Sequence, residues 1–118
     1  MSGRVLRRWS GFALGTSVAA FAVVAIAQQV AATGSGEVAI DDFRFAPADL
    51  TVAPGTRVTW TNRDQEPHTV VSVDKDVVPF KSQALDTDDK FAFVFDKAGT
   101  YKYFCSVHPR MVGTVTVK

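Results

Sequence analysis

The residues best suited to metal chemistry lie in one short stretch near the C-terminus, from Tyr101 to Met111. Within it, Cys105, His108 and Met111 follow one another at intervals of three residues. A thiolate, an imidazole and a thioether together favour copper, because soft sulfur suits Cu(I) and imidazole suits both oxidation states. A second imidazole would complete a trigonal site with a weak axial methionine. The chain has one other histidine, His68, which would have to arrive from a strand far away in sequence.

Each of these residues also has an ordinary structural interpretation. A buried cysteine can act as a small hydrophobic residue, and a methionine such as Met111 can fill the core. A single histidine at a strand end, as expected for His68, is more often a surface residue than a ligand. The complete set of four donors favours a metal site over these alternatives. Zinc is a second candidate metal, since cysteine and histidine bind it well, but methionine is not a usual zinc ligand.

The run from Glu37 to Lys118 resembles the cupredoxins. The spacing Cys105-x-x-His108-x-x-Met111 looks like that of the amicyanin members, because the plastocyanin pattern places two more residues before the methionine. The motifs that carry the resemblance are Phe45-x-Pro47, Pro54-Gly55-x-x-Val58-x-Trp60-x-Asn62, Pro67-His68-x-Val70, Ala98-Gly99-Thr100-Tyr101-x-Tyr103-x-Cys105 and His108-Pro109-x-Met111-x-Gly113. The resemblance implies one type 1, or blue, copper ion held by His68, Cys105, His108 and Met111, and a role in electron transport.

The resemblance also implies a hydrogen bond to the cysteine sulfur, from the backbone N–H of Thr69. Many members of the family have asparagine at this position, whose side chain bonds to the ligand loop. Because Thr69 stands there instead, we expect a hydroxyl contact between Thr69 and Ser106 to replace that bond.

Composition places the chain among ordinary globular proteins of one domain. It has 118 residues, of which 47% are hydrophobic and 21% charged. Three of the 13 basic residues lie within the first 27 positions, so the remainder carries ten basic and twelve acidic residues. A nucleic-acid-binding protein would need a basic face, and we expect no nucleic-acid partner.

The N-terminus has the pattern of an export signal. Arg4, Arg7 and Arg8 precede an uncharged run from Gly11 to Ala27 that ends in Ala25-Ile26-Ala27, a small-x-small cleavage site. We therefore predict a signal peptide over residues 1–27, a flexible leader over 28–36 and a cupredoxin domain over 37–118. The protein would be periplasmic or otherwise exported. The run is at the short limit for a spanning helix, so membrane contact is expected only if this segment is retained.

Alternating apolar residues predict an all-β fold. Val58 and Trp60 share one face of a strand, and Phe91, Phe93 and Phe95 alternate strictly. Tyr101 follows a turn and fits the tyrosine corner of Greek-key sandwiches. Seven to eight short strands without a helical period after residue 36 predict an antiparallel Greek-key β-sandwich.

Two regions are harder to interpret. Val38 and Ile40 have one parity, whereas Phe43 and Phe45 have the other, which requires either a bulge near Asp41-Asp42 or a break between two strands. The bulge is our favoured interpretation. In the polar segment from Asp74 to Asp89, Phe80 and Leu85 are predicted to anchor the chain to the core.

These features lead to one favoured function and one alternative. The favoured function is a small exported one-electron carrier, and the alternative is an exported copper-binding or resistance protein that holds copper without electron transfer. An enzyme would need an open coordination position or a second metal site, and two histidines leave no ligands for one. We expect a monomer whose transient redox partners dock at the His108 face, on small interfaces. The candidate apolar rim consists of Pro67, Val107, Pro109 and Phe80, interrupted by Arg110.

Overall fold

The computed structural model describes residues 34–75 and 77–118, together with the isolated residues 11, 15 and 32. Apart from isolated positions, the predicted export signal over residues 1–27 and the leader up to residue 33 lie outside the described residues. The described part of the chain forms eight strands. Within those ranges there is no helix long and apolar enough to cross a bilayer.

The eight strands are short and are separated by turns and loops. In chain order they are β1 (Gly34–Asp41), β2 (Arg44–Ala46), β3 (Asp49–Val52), β4 (Thr56–Asn62), β5 (Val71–Ser72), β6 (Lys90–Phe95), β7 (Gly99–Phe104) and β8 (Val112–Val117). The first strand begins three residues before the predicted start of the domain at Glu37. Gly34 to Gly36 are therefore strand and not leader, because they pair with Thr56 to Val58 of β4.

The strands form two four-stranded sheets, with the orders β2-β1-β4-β6 and β3-β8-β7-β5. This confirms the predicted all-β sandwich of seven to eight strands. Four of the strand pairings in the described ranges are antiparallel, but β1 pairs with β4 and β3 with β8 in parallel. These neighbours are parallel because, between the two strands of each pair, the chain crosses to the other sheet and returns.

After Ile40 the apolar residues change from even to odd positions, because the chain turns there in a tight hairpin. Ile40 pairs with Phe45 and Asp41 with Arg44, so Asp42 and Phe43 alone form the turn between β1 and β2. Both have positive φ, 52° and 56°, as both central residues of a type I′ turn do. The favoured bulge was therefore wrong, and the break between strands is correct. The ring of Phe43 lies at the tip of this hairpin and is 45% exposed.

The core lies between the two sheets and is centred on Trp60. Trp60 is fully buried, as its phase predicted, and packs against the rings of Phe80, Phe91, Phe95 and Tyr103. Of the predicted phenylalanine stripe, Phe95 is buried, whereas Phe91 and Phe93 are half-buried because β6 is an edge strand.

The ends of β7 and β8 are joined firmly to this core. The hydroxyl of Tyr101 donates a hydrogen bond to the carbonyl of Lys97 at 2.7 Å, which confirms the predicted tyrosine corner. Tyr103 pairs with Gly113 across the two strands. The ring of Tyr103 occupies the space where a side chain at Gly113 would lie, since a Cβ there would be 2.3 Å from its Cζ atom. This packing holds the loop between β7 and β8 at one end of the sandwich.

Candidate metal centre

His68 enters the site from a segment that is held by backbone pairing. Its N–H donates to the carbonyl of Leu85 at 3.1 Å, and the N–H of Leu85 donates back to the carbonyl of His68 at 2.7 Å. Leu85 is buried, as is Phe80, which confirms both as anchors of the 74–89 segment. The His68 ring is fully buried. Its backbone therefore cannot shift without breaking this bridge.

The other three predicted ligands lie on the loop between β7 and β8. The N–H of Cys105 donates to the carbonyl of Met111 at 3.0 Å, and the N–H of Met111 donates to the carbonyl of His108 at 2.9 Å. These two bonds close the loop into a compact ring. Cys105 and Met111 are buried, whereas His108 is partly exposed.

The structure brings the donor atoms of the two segments together. The Sγ atom of Cys105 lies 3.9 Å from Nδ1 of His68 and 3.8 Å from Nδ1 of His108. The two Nδ1 atoms are 3.2 Å apart. The three donors all lie within 4.8 Å of one another, so a single ion could contact all of them. One thiolate and two imidazoles, with the thioether of Met111 on the same loop, fit the donor preferences of a type 1 copper site.

The sulfur of Cys105 receives hydrogen bonds from Thr69. The backbone N–H of Thr69 lies 3.4 Å from Sγ, as expected, and the Thr69 hydroxyl lies 3.8 Å from it. The hydroxyl groups of Thr69 and Ser106 are 2.7 Å apart, which confirms the contact predicted between them. Thr69 therefore links the two segments that carry the candidate ligands.

These contacts change the acidity of the thiol. Burial by itself raises the pKa of Cys105, but hydrogen bonds, first among them that from the Thr69 N–H, outweigh burial and lower the pKa to about 6. A thiolate is the form that binds metals. In the metal-free protein at neutral pH, Cys105 is therefore mainly the thiolate that a metal ion requires.

Comparison with known proteins agrees with this donor set. Residues 32–118 match the family described as copper binding proteins, plastocyanin/azurin family. The chain belongs to this family. Copper is therefore the cofactor of this cupredoxin, and its donor set is that of a type 1 site.

Individual relatives support the same assignment. The chain is 35% identical to amicyanin-alpha of Methylorubrum extorquens over 92% of each chain. It is 39% identical to the plastocyanin of Scenedesmus fuscus, over 63% of this chain and 86% of that one. Among solved structures, a purple cupredoxin from Nitrosopumilus maritimus superposes with a TM-score of 0.64 at 38% identity, covering 70% of this chain and 99% of that one.

This cupredoxin has a carboxylate behind His68 that the sequence analysis missed. Oδ2 of Asp64 lies 2.8 Å from Nε2 of His68, and only 11% of the Asp64 side chain is exposed. Although burial raises the pKa of Asp64, hydrogen bonds from the N–H groups of Phe43 and Asp42, and from His68, lower it below its usual value. The available signal was an acidic residue four positions before a candidate ligand, since ligating histidines usually bond a carboxylate or carbonyl through their other nitrogen.

The rim around His108 differs from the predicted one. Val107 is 52% exposed, and Pro67 and Pro109 are also exposed. Phe80 is 4% exposed and packs on Trp60, so its assignment to the rim was wrong. The aromatic residue that lies beside His108 is Phe43. The sequence pattern had assigned Phe43 only to a strand. Arg110 is exposed on the same rim.

Proposed function

We propose that this chain is a small exported one-electron carrier whose copper ion is held by His68, Cys105, His108 and Met111. The observation that carries the proposal is the convergence of three donor atoms within 4.8 Å on two separate segments of the chain. Bound copper supplies the one-electron couple. The amicyanin and plastocyanin relatives support this kind of role.

The residues around the site favour electron transfer by holding the donors still. Cu(II) prefers nitrogen and oxygen donors in tetragonal geometry, whereas Cu(I) accepts sulfur and fewer ligands. The backbone bridge of His68 to Leu85 and the closed loop from Cys105 to Met111 hold one arrangement for both states. Little rearrangement then accompanies gain or loss of the electron.

The partly exposed ring of His108 is the proposed exit for the electron. Around it, Phe43 and Val107 present apolar surface to solvent, and Arg110 adds a positive charge. Transient redox partners meet over areas below about 1,200 Å². An apolar face of this kind supports brief docking by such partners. In the monomer that we propose, no second copy of the chain covers this face.

Export and the absence of enzymatic activity also belong to the proposal. The apolar run ending in Ala25-Ile26-Ala27 supports cleavage after Ala27 and a periplasmic or otherwise exported protein. Within residues 34–75 and 77–118, the one group of histidine, cysteine or acidic residues that could hold a metal is His68, Cys105 and His108. An enzyme with a second metal site therefore has no support from the described residues.

An absorption spectrum of the copper-loaded protein tests the proposed ligands. Charge transfer from the Cys105 thiolate to Cu(II) should give an intense band at roughly 600 nm, where such sites absorb. Cys105→Ser should abolish the band and leave the fold intact. A colourless Cu(II)-loaded protein would refute the ligand set. A band shifted towards purple, as the name of the Nitrosopumilus maritimus protein suggests for that relative, would keep the thiolate and revise the geometry.

A kinetic measurement separates the carrier from the alternative, an exported copper-binding or resistance protein. Stopped-flow reduction of the oxidised protein by a small-molecule reductant should be fast if the donors scarcely move. Reduction slower than that of an ordinary small copper complex would favour the holding function over the carrier.

A further inference from the structure

One carboxylate connects the tip of the β1–β2 hairpin to His68. Oδ1 of Asp64 accepts the backbone N–H of Asp42 at 2.7 Å, and Oδ2 accepts the backbone N–H of Phe43 at 2.9 Å. The same Oδ2 lies 2.8 Å from Nε2 of His68. Asp64 is itself held in place, since its N–H donates to Oδ1 of Asn62 and its carbonyl accepts the hydroxyl of Thr87. The hairpin tip and His68 are therefore attached to one fixed group.

The hairpin tip has a conformation that a phenylalanine rarely adopts. Phe43 has a φ of 56°, and positive φ in a bulky residue is an outlier that the surroundings must impose. The two N–H groups of the tip both point at the Asp64 carboxylate, which holds the turn in this conformation. Such strained positions concentrate at functional sites.

The strained conformation places the ring of Phe43 against both histidines. Its centroid lies 5.2 Å from that of His68 and 5.0 Å from that of His108, with interplanar angles of 89° and 90°. Edge-on contacts at this distance are favourable for aromatic rings. The ring therefore restricts the tilt of the inner and the outer histidine together.

The contact with Asp64 also decides which nitrogen of His68 is available. A ligating histidine donates its other N–H to an outer group, which sets its tautomer and ring orientation. With Nε2–H directed at Asp64, the lone pair of a neutral ring lies on Nδ1. This is the nitrogen that faces Cys105 and His108.

We propose that Asp64 is a positioning residue for the metal centre, which orients His68 directly and restrains His108 through the strained turn that holds Phe43. The inference rests on the proposed ligand set, and it extends that set by one carboxylate and one aromatic ring. Neither residue touches the metal. Their common effect is to keep the two imidazole planes in one relative orientation.

Asp64→Asn tests the first part of the proposal. A carboxamide has one acceptor oxygen and an NH₂ donor in place of two acceptor oxygens, so it cannot accept all three hydrogen bonds from Asp42, Phe43 and His68. It also lacks the negative charge that strengthens the bond to His68. We expect copper affinity, measured by competition with a chelator, to fall about 10- to 100-fold, as for other outer partners of metal-binding histidines. In the Cu(I) protein, long-range ¹H–¹⁵N spectra should show a protected Nε2–H on His68 of the wild type and a rapidly exchanging one in the variant.

Asp88→Asn is the matched control. It removes the same charge from a carboxylate that pairs with Arg63 instead of a histidine, and asparagine tolerates the positive φ of 69° at this position. Its copper affinity and its spectra should equal those of the wild type. If Asp64→Asn stays within twofold of the wild-type affinity and keeps the protected Nε2–H, the inference is overturned even though the wild type shows the charge-transfer band. A wild type without that band would refute the ligand set itself.

Phe43→Gly tests the connection to His108 separately from fold stability. Glycine suits the positive φ of the turn, which offsets part of the packing lost with the ring, so the metal-free variant should remain folded. The ring contacts are nevertheless lost. We expect His108 ring signals in the Cu(I) protein to broaden through ring motion, while the protected Nε2–H of His68 persists. Unchanged His108 signals would overturn the role assigned to Phe43.

Discussion

The hydroxyl of Thr69 lies 2.7 Å from the hydroxyl of Ser106, although the two residues are 37 positions apart in the chain. The Thr69 oxygen also accepts the backbone N–H of Ser106 at 2.8 Å, and it lies 3.8 Å from Sγ of Cys105. One small side chain thus joins the His68 segment to the Cys105 loop and faces the sulfur of Cys105. The hydroxyl of Thr69 can therefore donate its proton either to the Ser106 oxygen or to the Cys105 sulfur.

Thr69→Val should lower the reduction potential. A hydrogen bond to the sulfur stabilises the reduced state more, because the thiolate carries more negative charge there. Loss of a bond worth about 0.5–1.5 kcal/mol corresponds to roughly 20–65 mV, since a tenfold change in equilibrium is about 59 mV for one electron. Voltammetry measures the shift. Ser106→Ala is the control, because it leaves the sulfur as the acceptor for the Thr69 hydroxyl and should not lower the potential.

The metal-free protein should hold Cys105 as a thiolate at neutral pH. Its pKa is lowered from 9.0 to about 6. A lowered pKa contributes stability that is fully present above the unfolded value and is lost as the pH falls through the folded value. The free energy of unfolding of the metal-free protein should therefore rise between pH 6 and pH 9, relative to Cys105→Ser. Ultraviolet thiolate absorbance gives the midpoint directly, and a midpoint at pH 8 or above would contradict this prediction.

Loss of the hydroxyl group should have different effects on the free energy of unfolding at the two tyrosines of β7. Tyr101→Phe removes the hydrogen bond to the Lys97 carbonyl and should cost about 1 kcal/mol of the free energy of unfolding. The Tyr103 hydroxyl is buried without a hydrogen-bond partner among the described residues, and burial raises its pKa to about 12. Tyr103→Phe should therefore leave stability unchanged or raise it. Chemical denaturation measures both, and equal losses would contradict the assignment of partners.

Gly113→Ala should destabilise the fold through the ring of Tyr103. A Cβ at Gly113 would lie 2.3 Å from both Cζ and the hydroxyl oxygen of that ring. Because the ring is buried in the core, it cannot move without disturbing its neighbours, and overpacking of this kind costs about 1–3 kcal/mol. Gly36→Ala is the comparison, since its Cβ would meet the methyl ends of the Leu50, Val52 and Val58 side chains at 3.2, 3.3 and 3.5 Å. Its loss in thermal stability should be smaller.

Met111→Gln should lower the reduction potential while copper stays bound. An oxygen donor favours Cu(II) over Cu(I), whereas a thioether favours Cu(I). Met111 is 5% exposed, so glutamine would replace a buried side chain of similar length. Voltammetry and copper content of the purified variant provide the measurement. Loss of copper would mean that Met111 is needed for retention, and an unchanged potential would mean that it is only part of the core.

The sequence by itself determined the chemistry of the candidate ligands and the faces of the strands. The donor types and spacing of Cys105, His108 and Met111 are local properties of one loop. Alternation with a period of two placed Trp60 in the core, and the turn before Tyr101 identified the tyrosine corner. Such features were predictable because each depends on residues that are close in the chain.

Only the tertiary structure decided what surrounds the ligands. Parity allowed either a bulge or a turn near Asp42, and strand pairing chose the turn that puts Phe43 over the histidines. Phe80 was assigned from the sequence both to the core and to the rim around His108, and the fold buries it on Trp60. The bonds from Asp64 to the turn join residues 21 and 22 positions apart. Contacts of this kind exist only once β1 and β4 have paired, because pairing between distant strands and not local pattern brings their ends together.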